Sequence, residues 1–529
     1  MSHPAPPLLP DTRPSLYDRW MLRVRATPAL TRRIDLIAPL AVTLLAGILR
    51  FANLAHPHAI VFDETYYVKD AWSQWNLGYT ASWPNDADAS FAAGDTDIFH
   101  TDPSFSVHPP LGKWLIGIGL WLFGADSSFG WRFSVALFGT ATVLLVYLVA
   151  KTLTGSTPVA TLAGFLMAID GLAIVLSRVS LLDIFLTFFV LLTFWFVLFD
   201  RRAHLARLTA HLAGPGSDAD APPNWGPLLW NRPWLIAAGA AAGAATAVKW
   251  SGLYVLAAVG IYLVVTDALA RRRLGVAQWP ADALRQGLAS FVLLVPVALA
   301  VYLASWTGWL ASSDGYDRQS AALHPATGLW SWVPLPLQSL WNFHVAIYQF
   351  HVGLSTPHAY QSPAWQWPLL VRPTSMYWQQ TGDSVQAISS IPNPLIWWAG
   401  IAAAVFLLYR LLFARDTRGA LVLVGIAATY VPWLLYPERT IFQFYTIAIL
   451  PFLVIAIALA AREIVGGAPA RHDPESIALH AHRRLTGQRL IWVFLIVATL
   501  LSAFWYPVWT AIPVPYDFWR LHNWLLTWV

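Results

Sequence analysis

Two carboxylates stand side by side at Asp63 and Glu64, in the stretch VFDETYYVKD that follows an apolar run. Neighbouring side chains point about 100° apart on a helix and to opposite faces of a strand, so the pair does not share one role. One could take a proton from a reacting hydroxyl while the other orients it or binds a sugar. Blander uses are a solvated loop end or an N-cap by Asp63 for a helix beginning ETYYVKDAW. The pair could also hold a divalent ion, joined by His108. His108 and Lys113 belong to HPPLGK, where Pro109–Pro110 holds the preceding chain extended and would present both side chains to an anion. The plainer reading is a loop-to-helix start with a snorkelling Lys113.

Other cations are Arg132 in GWRFSVALFG, Lys249 in AVKWSGLY and Arg372 in LLVRP. Lys249 is the one charge between Arg232 and Asp267. An ionisable group in an apolar hairpin marks a candidate site, with a lipid phosphate as the fitting partner; snorkelling to headgroups is the alternative. Arg178 and Asp183, in SRVSLLD, read as a mutual pair, with phosphate binding by Arg178 as the alternative, and Glu438–Arg439, in YPERT, as the decoration of a turn. His344, His351 and His358 lack the spacing of a zinc signature. The Trp- and His-rich stretch 341–373 around them suits sugar stacking or contact with a membrane surface. The chain has no cysteine, which removes thiolate and disulfide chemistry.

The elements that must position these residues are membrane helices. Of 529 residues 57% are hydrophobic and 12% charged, against roughly 25% charged in soluble proteins. The mean hydropathy is +0.52, and most of the 30 Trp flank apolar runs, as in interfacial belts. The fold class expected is an all-α polytopic membrane protein. About eleven spans are predicted, near 34–52, 131–150, 158–176, 182–199, 233–248, 250–268, 287–305, 395–413, 420–436, 440–461 and 489–508.

Basic residues mark the inner side. Arg13, Arg19, Arg23, Arg25, Arg32 and Arg33 put the N-terminus inside, as a tail at 1–33 with no apolar region of a cleavable signal; the first span reads as an uncleaved anchor. Two outer loops follow, 53–130 and 306–394, within a membrane domain at 34–508, and an outer tail at 509–529. KWLIGIGLWLFG, 113–124, is too short to span and reads as a surface or re-entrant helix. The candidate acids and cations gather at the outer face, with Asp170 as the exception. A transporter would tend to place them at the midplane with repeat symmetry, which makes a transporter or lipid flippase the remote alternative. No basic, aromatic-interleaved patch marks a nucleic-acid surface.

The ordered set FDETYYVKDA, HPPLGKWLIGIG, WRFSVALFG, SRVSLLDIFL, VKWSGLY and HAYQSPAWQWPLLVRP resembles the protein O-mannosyltransferases, in their bacterial, actinobacterial-type form. The resemblance covers most of the chain to about residue 375. Loop two is too short for the soluble β-trefoil domain of eukaryotic members. The resemblance implies transfer of mannose from polyprenyl-phosphate mannose to Ser or Thr of exported polypeptides, at the outer face of a bacterial plasma membrane. The exported acceptor makes a secretion channel a candidate partner. Asp63 maps to the catalytic base and Glu64 to its essential neighbour; Arg132 and Lys249 map to the family's cations, with His108, Lys113 and Arg372 as further candidates for the donor phosphate. No metal or other cofactor is implied. With a β-linked donor and an α-linked product, transfer requires inversion by single displacement. The alternative within the class is another polyprenyl-phosphosugar transferase with a different sugar, or with a lipid or glycan acceptor.

Overall fold

A computed structural model describes residues 14–213, 223–466 and 474–529. Arg13, much of the 1–33 tail's start and residues 467–473 of the expected inner segment lie outside the described residues. The chain is built on helices α1 (Pro28–Phe51), α2 (Glu64–Leu77), α3 (Leu111–Phe123), α4 (Ser128–Thr154), α5 (Thr157–Ile169), α6 (Gly171–Val175), α7 (Asp183–Leu212) and α8 (Pro233–Val248). These are followed by α9 (Gly252–Arg273), α10 (Trp279–Ser305), α11 (Leu335–Gly353), α12 (Pro394–Phe413), α13 (Ala420–Tyr430), α14 (Leu450–Val465) and α15 (Pro474–Trp509). Among the described residues, eight helical stretches are long and apolar enough to cross a membrane, and α3, α5 and α8 are shorter apolar helices. A helix overlaps each of the eleven expected segments.

The differences from expectation have local causes. The segment 158–176 is broken at Asp170, whose side chain accepts from the backbone N–H of Leu172 and Ala173 and so caps α6. A carboxylate that satisfies these orphan donors starts a new helix rather than continuing the old one. Its other oxygen accepts from Asn393 N at 3.0 Å, which ties the break to the start of α12. The helix expected at 182–199 runs on to Leu212, because DRRAHLARL keeps helical spacing and Asp200 pairs with Arg232 beyond it. At 13 residues, about 20 Å of rise, α3 is a short helix, below the length of a full span.

The all-α expectation needs one correction. Strands β1 (Ser375–Thr381) and β2 (Ser384–Ser389) form an antiparallel hairpin, and β3 (Val514–Pro515) adds to its edge. The two-residue link Gly382–Asp383, with Gly382 at φ 61°, is a tight hairpin turn. The C-terminal residues thereby close onto loop two.

Two close approaches set the frame of the site. In α8, Gly239 and Gly243 lie against the backbone of α10: a Cβ there would meet Leu294 O at 2.5 Å and Ala298 O at 2.4 Å. Small residues one turn apart let membrane helices touch backbone to backbone, and this contact fixes the helix that ends at Lys249. Elsewhere Gly78, at φ 85°, packs on Gly308, where a Cβ on Gly308 would lie 2.5 Å from Gly78 O. Loops one and two, 53–130 and 306–394, therefore meet.

Candidate functional site

Asp63 occupies the position before α2, but its own backbone is helical (φ −71°, ψ −1°) and its side chain caps nothing. The capping role is thus excluded by geometry. Among the described residues the Asp63 carboxylate has neither a hydrogen bond nor an ion pair. Burial raises its pKa to about 6, against the charge of Lys249 and with that of Asp183. Phe62, just before it, sits at φ 48°, a costly conformation for a bulky residue. An aromatic group holds it there: its ring meets His358, Phe442 and Phe444 edge-on at 6.4, 6.1 and 5.7 Å.

Glu64 points the other way. It is fully buried, and its oxygens accept from Val61 N (3.0 Å), Ser180 N (2.9 Å) and Arg132 Nε and Nη2 (2.8 and 2.9 Å). Arg132 is equally buried and donates its remaining N–H groups to the carbonyls of Leu54, Pro57 and Ala59. All five donors of its guanidinium are therefore spent. The expectation that Arg132 faces a phosphate is corrected: it locks Glu64, and Glu64 locks the turn that presents Asp63. With both Glu64 oxygens committed, the acidic pair does not offer two free carboxylates to an ion. Among the described residues no three His, Cys, Asp or Glu side chains are grouped to hold a metal.

Lys249, at the end of α8, is buried and pairs with Asp183 at 2.8 Å. Its ammonium lies 4.9 Å from the centre of the Tyr445 ring. The anticipated Arg178–Asp183 pair does not form. Arg178 instead donates to the carbonyls of Arg50, Ala52 and Asn53 at the end of α1.

His108 stacks on His351 of α11 at 5.3 Å and lies 6.2 Å from the Tyr67 ring, one turn along α2 from Asp63. Its ring nitrogens have no partner among the described residues. Burial, with the charges of Lys249, Lys113 and Arg439 nearby, pushes its pKa well below the ordinary imidazole value, so it is neutral. Lys113 is buried and bonded to Asp70 (3.0 Å) and to Ser106, which leaves it a support for the loop carrying His108. Arg372 donates to the carbonyls of Ala359, Thr527 and Val529 and stacks on Tyr360, so it fastens the C-terminal residues to loop two.

Three participants were not assigned from sequence. Asp183 was paired with the wrong cation, and Tyr445 carried no signal beyond being aromatic. Arg439, expected to decorate a turn, donates from Nη2 to His351 Nδ1 at 2.9 Å. Only the apolar context of YPERT hinted at more.

The site thus collects one free carboxylate, a paired lysine, a neutral histidine and a further arginine where loops one and two meet. A mannosyltransferase model, "Dolichyl-phosphate-mannose-protein mannosyltransferase", matches residues 107–208, and "C-terminal four TMM region of protein-O-mannosyltransferase" matches 336–528. The polyprenol-phosphate-mannose–protein mannosyltransferase of Mycolicibacterium smegmatis is 34% identical over 509 residues, 92% of each chain. The protein of that name from Mycobacterium tuberculosis is 33% identical over 92% of this chain and 90% of its own, and that from Corynebacterium glutamicum 32% identical over 82% and 84%. Among solved structures, the Saccharomyces cerevisiae Pmt1–Pmt2 complex bound to the sugar donor superposes with a TM-score of 0.70 at 14% identity, over 93% of this chain and 92% of that one. That likeness shows a shared fold.

Proposed function

Because the chain belongs to the protein O-mannosyltransferase family, we propose that it transfers mannose from polyprenyl-phosphate mannose to Ser or Thr hydroxyls of exported polypeptides, with Asp63 as the base. The unpartnered carboxylate of Asp63, beside the Lys249–Asp183 pair, is the observation that carries this reading. The acceptor oxygen attacks the anomeric carbon as Asp63 takes its proton, and the bond to the phosphate oxygen breaks with its electron pair. Phosphate leaves without a protonating acid if cations meet its growing charge. Lys249, whose charge acts on Asp63, is one candidate for that, and the neutral His108 can hydrogen-bond sugar or phosphate. Glu64 and Arg132 act as positioning residues behind Asp63.

The finer architecture belongs to the same proposal. It has about eleven spans, a cytoplasmic tail at 1–33, a membrane domain at 34–508 and an outer tail at 509–529, with the site at the outer face of the plasma membrane. The eight long apolar helices and the meeting of the two loops support it. The secretion channel is proposed as a neighbour that would deliver unfolded acceptor.

The test is a membrane assay with polyprenyl-phosphate mannose and a Ser/Thr peptide. Asp63→Asn is expected to lower transfer by roughly 10²–10⁴-fold, the span of a lost general base, while polyprenyl phosphate still binds. Near-normal turnover would remove Asp63 from the mechanism, and failure of the unaltered protein to transfer mannose from this donor would favour the related transferase reading.

A further inference from the structure

Most of the cations of the outer loops and helix ends have their charge or their donors accounted for. Lys69 pairs with Asp88, Lys113 with Asp70, Arg132 with Glu64 and Lys249 with Asp183. Arg178, Arg318 and Arg372 donate to backbone carbonyls. Arg439 differs. Among the described residues it has no carboxylate within ion-pair distance, and its buried Nε–H has no hydrogen-bond partner. Arg439 is half-buried, with its guanidinium 5.6 Å from the centre of the Trp433 ring, and its buried Nε–H is a donor whose desolvation an anion would offset.

Its one side-chain hydrogen bond fixes the chemistry of His351. Arginine can only donate, so His351 Nδ1 accepts, and Nε2 carries the proton that it donates to Val107 O at 2.8 Å. His351 is therefore a neutral strap between loop one, at Val107, and Arg439. The guanidinium is tied to the site through His351, which it bonds and which stacks on His108 at 5.3 Å. Its charge and that of Lys249 both act on His108 and His351, and its charge acts with those of Asp63 and Asp183 on Tyr445.

Charge balance then separates the two cations. Lys249 with Asp183 sums to zero, whereas the donor of the proposed reaction is a phosphodiester monoanion and its leaving group a phosphomonoester that gains negative charge as the glycosidic bond breaks. We propose that Arg439, aimed by His351, is the uncompensated cation that binds the donor phosphate and meets this growing charge. The proposal rests on the mannosyl-transfer reading, and it makes Arg439 a phosphate-binding residue and His351 a positioning residue.

The experiment uses the full chain in lipid nanodiscs, with polyprenyl phosphate and polyprenyl-phosphate mannose as probes. Arg439→Gln is expected to weaken binding of both by about 10–100-fold, the range for a charge-assisted contact of roughly 1.5–3 kcal/mol, and more for the monoester than for the donor. Arg439→Lys should recover part of this loss. For His351, glutamine can accept from Arg439 and donate to Val107, so His351→Gln should stay near wild type while His351→Phe follows Arg439→Gln. In the unaltered protein, modification of Arg439 by phenylglyoxal, read by mass spectrometry, should be blocked by polyprenyl phosphate and not by polyprenol. Equal labelling of Arg439 with either lipid would overturn the proposal, as would affinity within twofold of wild type in Arg439→Gln. Mannose transfer that persists alongside such a result would leave the mannosyltransferase reading standing and the Arg439 assignment alone refuted.

Discussion

Asp63 is a weak acid made stronger as a base by its surroundings. Its pKa of about 6 comes chiefly from burial, and a base is useful when its pKa lies near the working pH. Transfer needs the ionised form, so kcat is expected to fall tenfold per pH unit below about 6 and to be flat above. His351 is held neutral down to about 4 by burial and by Arg439, so the strap on Arg439 survives this range. The acid limb should therefore appear in kcat while the KM for donor changes little between pH 4.5 and 6; parallel loss of donor affinity would assign the titration elsewhere. The stability consequence has the opposite sense. A carboxylate whose folded pKa is raised binds more protons in the folded state between about 3.8 and 6, so its contribution to stability is present at low pH and is lost as pH rises through that window. Asp63→Asn should thus unfold no earlier than wild type at neutral pH, as thermal unfolding in detergent can check.

The elements around this residue are arranged to hold a turn and a helix end. Glu64 and Arg132, both at or below 1% exposure, form the buried pair under α2. Removing one partner leaves an uncompensated charge, so Glu64→Ala is expected to cost about 3–5 kcal/mol, and the double change with Arg132→Met less than the sum of the two singles; calorimetry of the purified variants decides it. At the other end, Gly243→Leu would drive a side chain into the α10 backbone at Ala298 O. Overpacking of this kind costs roughly 1–3 kcal/mol and tilts the helix that ends at Lys249. Lower kcat/KM for donor together with a lower melting temperature is the expected result; a variant that loses stability alone would detach Lys249 from that helix contact. These elements also show where the sequence was readable. Asp63, Lys249 and the helical segments announced themselves through local spacing, charge in an apolar setting and the ordered motifs. Arg132 did not, because its role lies in a partner 68 residues away, and Arg439 is defined by a histidine 88 residues away. The hairpin at 375–389 was legible in principle, since Gly382–Asp383 separates two runs rich in aromatic and apolar residues. The all-α expectation omits it because the strand signal covers only 7 and 6 residues on either side of the turn, inside a loop between membrane helices.

At the scale of the whole molecule, the site exists only if loops one and two lie on one side of the membrane. Gly78 meets Gly308, and His351 of loop two bonds Val107 of loop one. Between them the chain must cross an even number of times. Six passes satisfy this: α4, α5 with α6, α7, α8, α9 and α10. Helix α3, at about 20 Å, is too short to add a seventh across a core of about 30 Å. The broken α5–α6 pass is the one on which the parity turns, and Asp170 at its break is covered by Asn393 rather than by lipid. The absence of cysteine makes the arrangement directly measurable. Single cysteines at the exposed positions Ala93, Leu329 and Ala414 should react with a membrane-impermeant maleimide in intact cells at 93 and 329, and at 414 only after lysis. Labelling of 93 and 329 on opposite sides would contradict the loop contacts themselves. Labelling of all three from outside would preserve the site but reverse the orientation proposed for the α12–α13 turn, and with it the count of eleven spans.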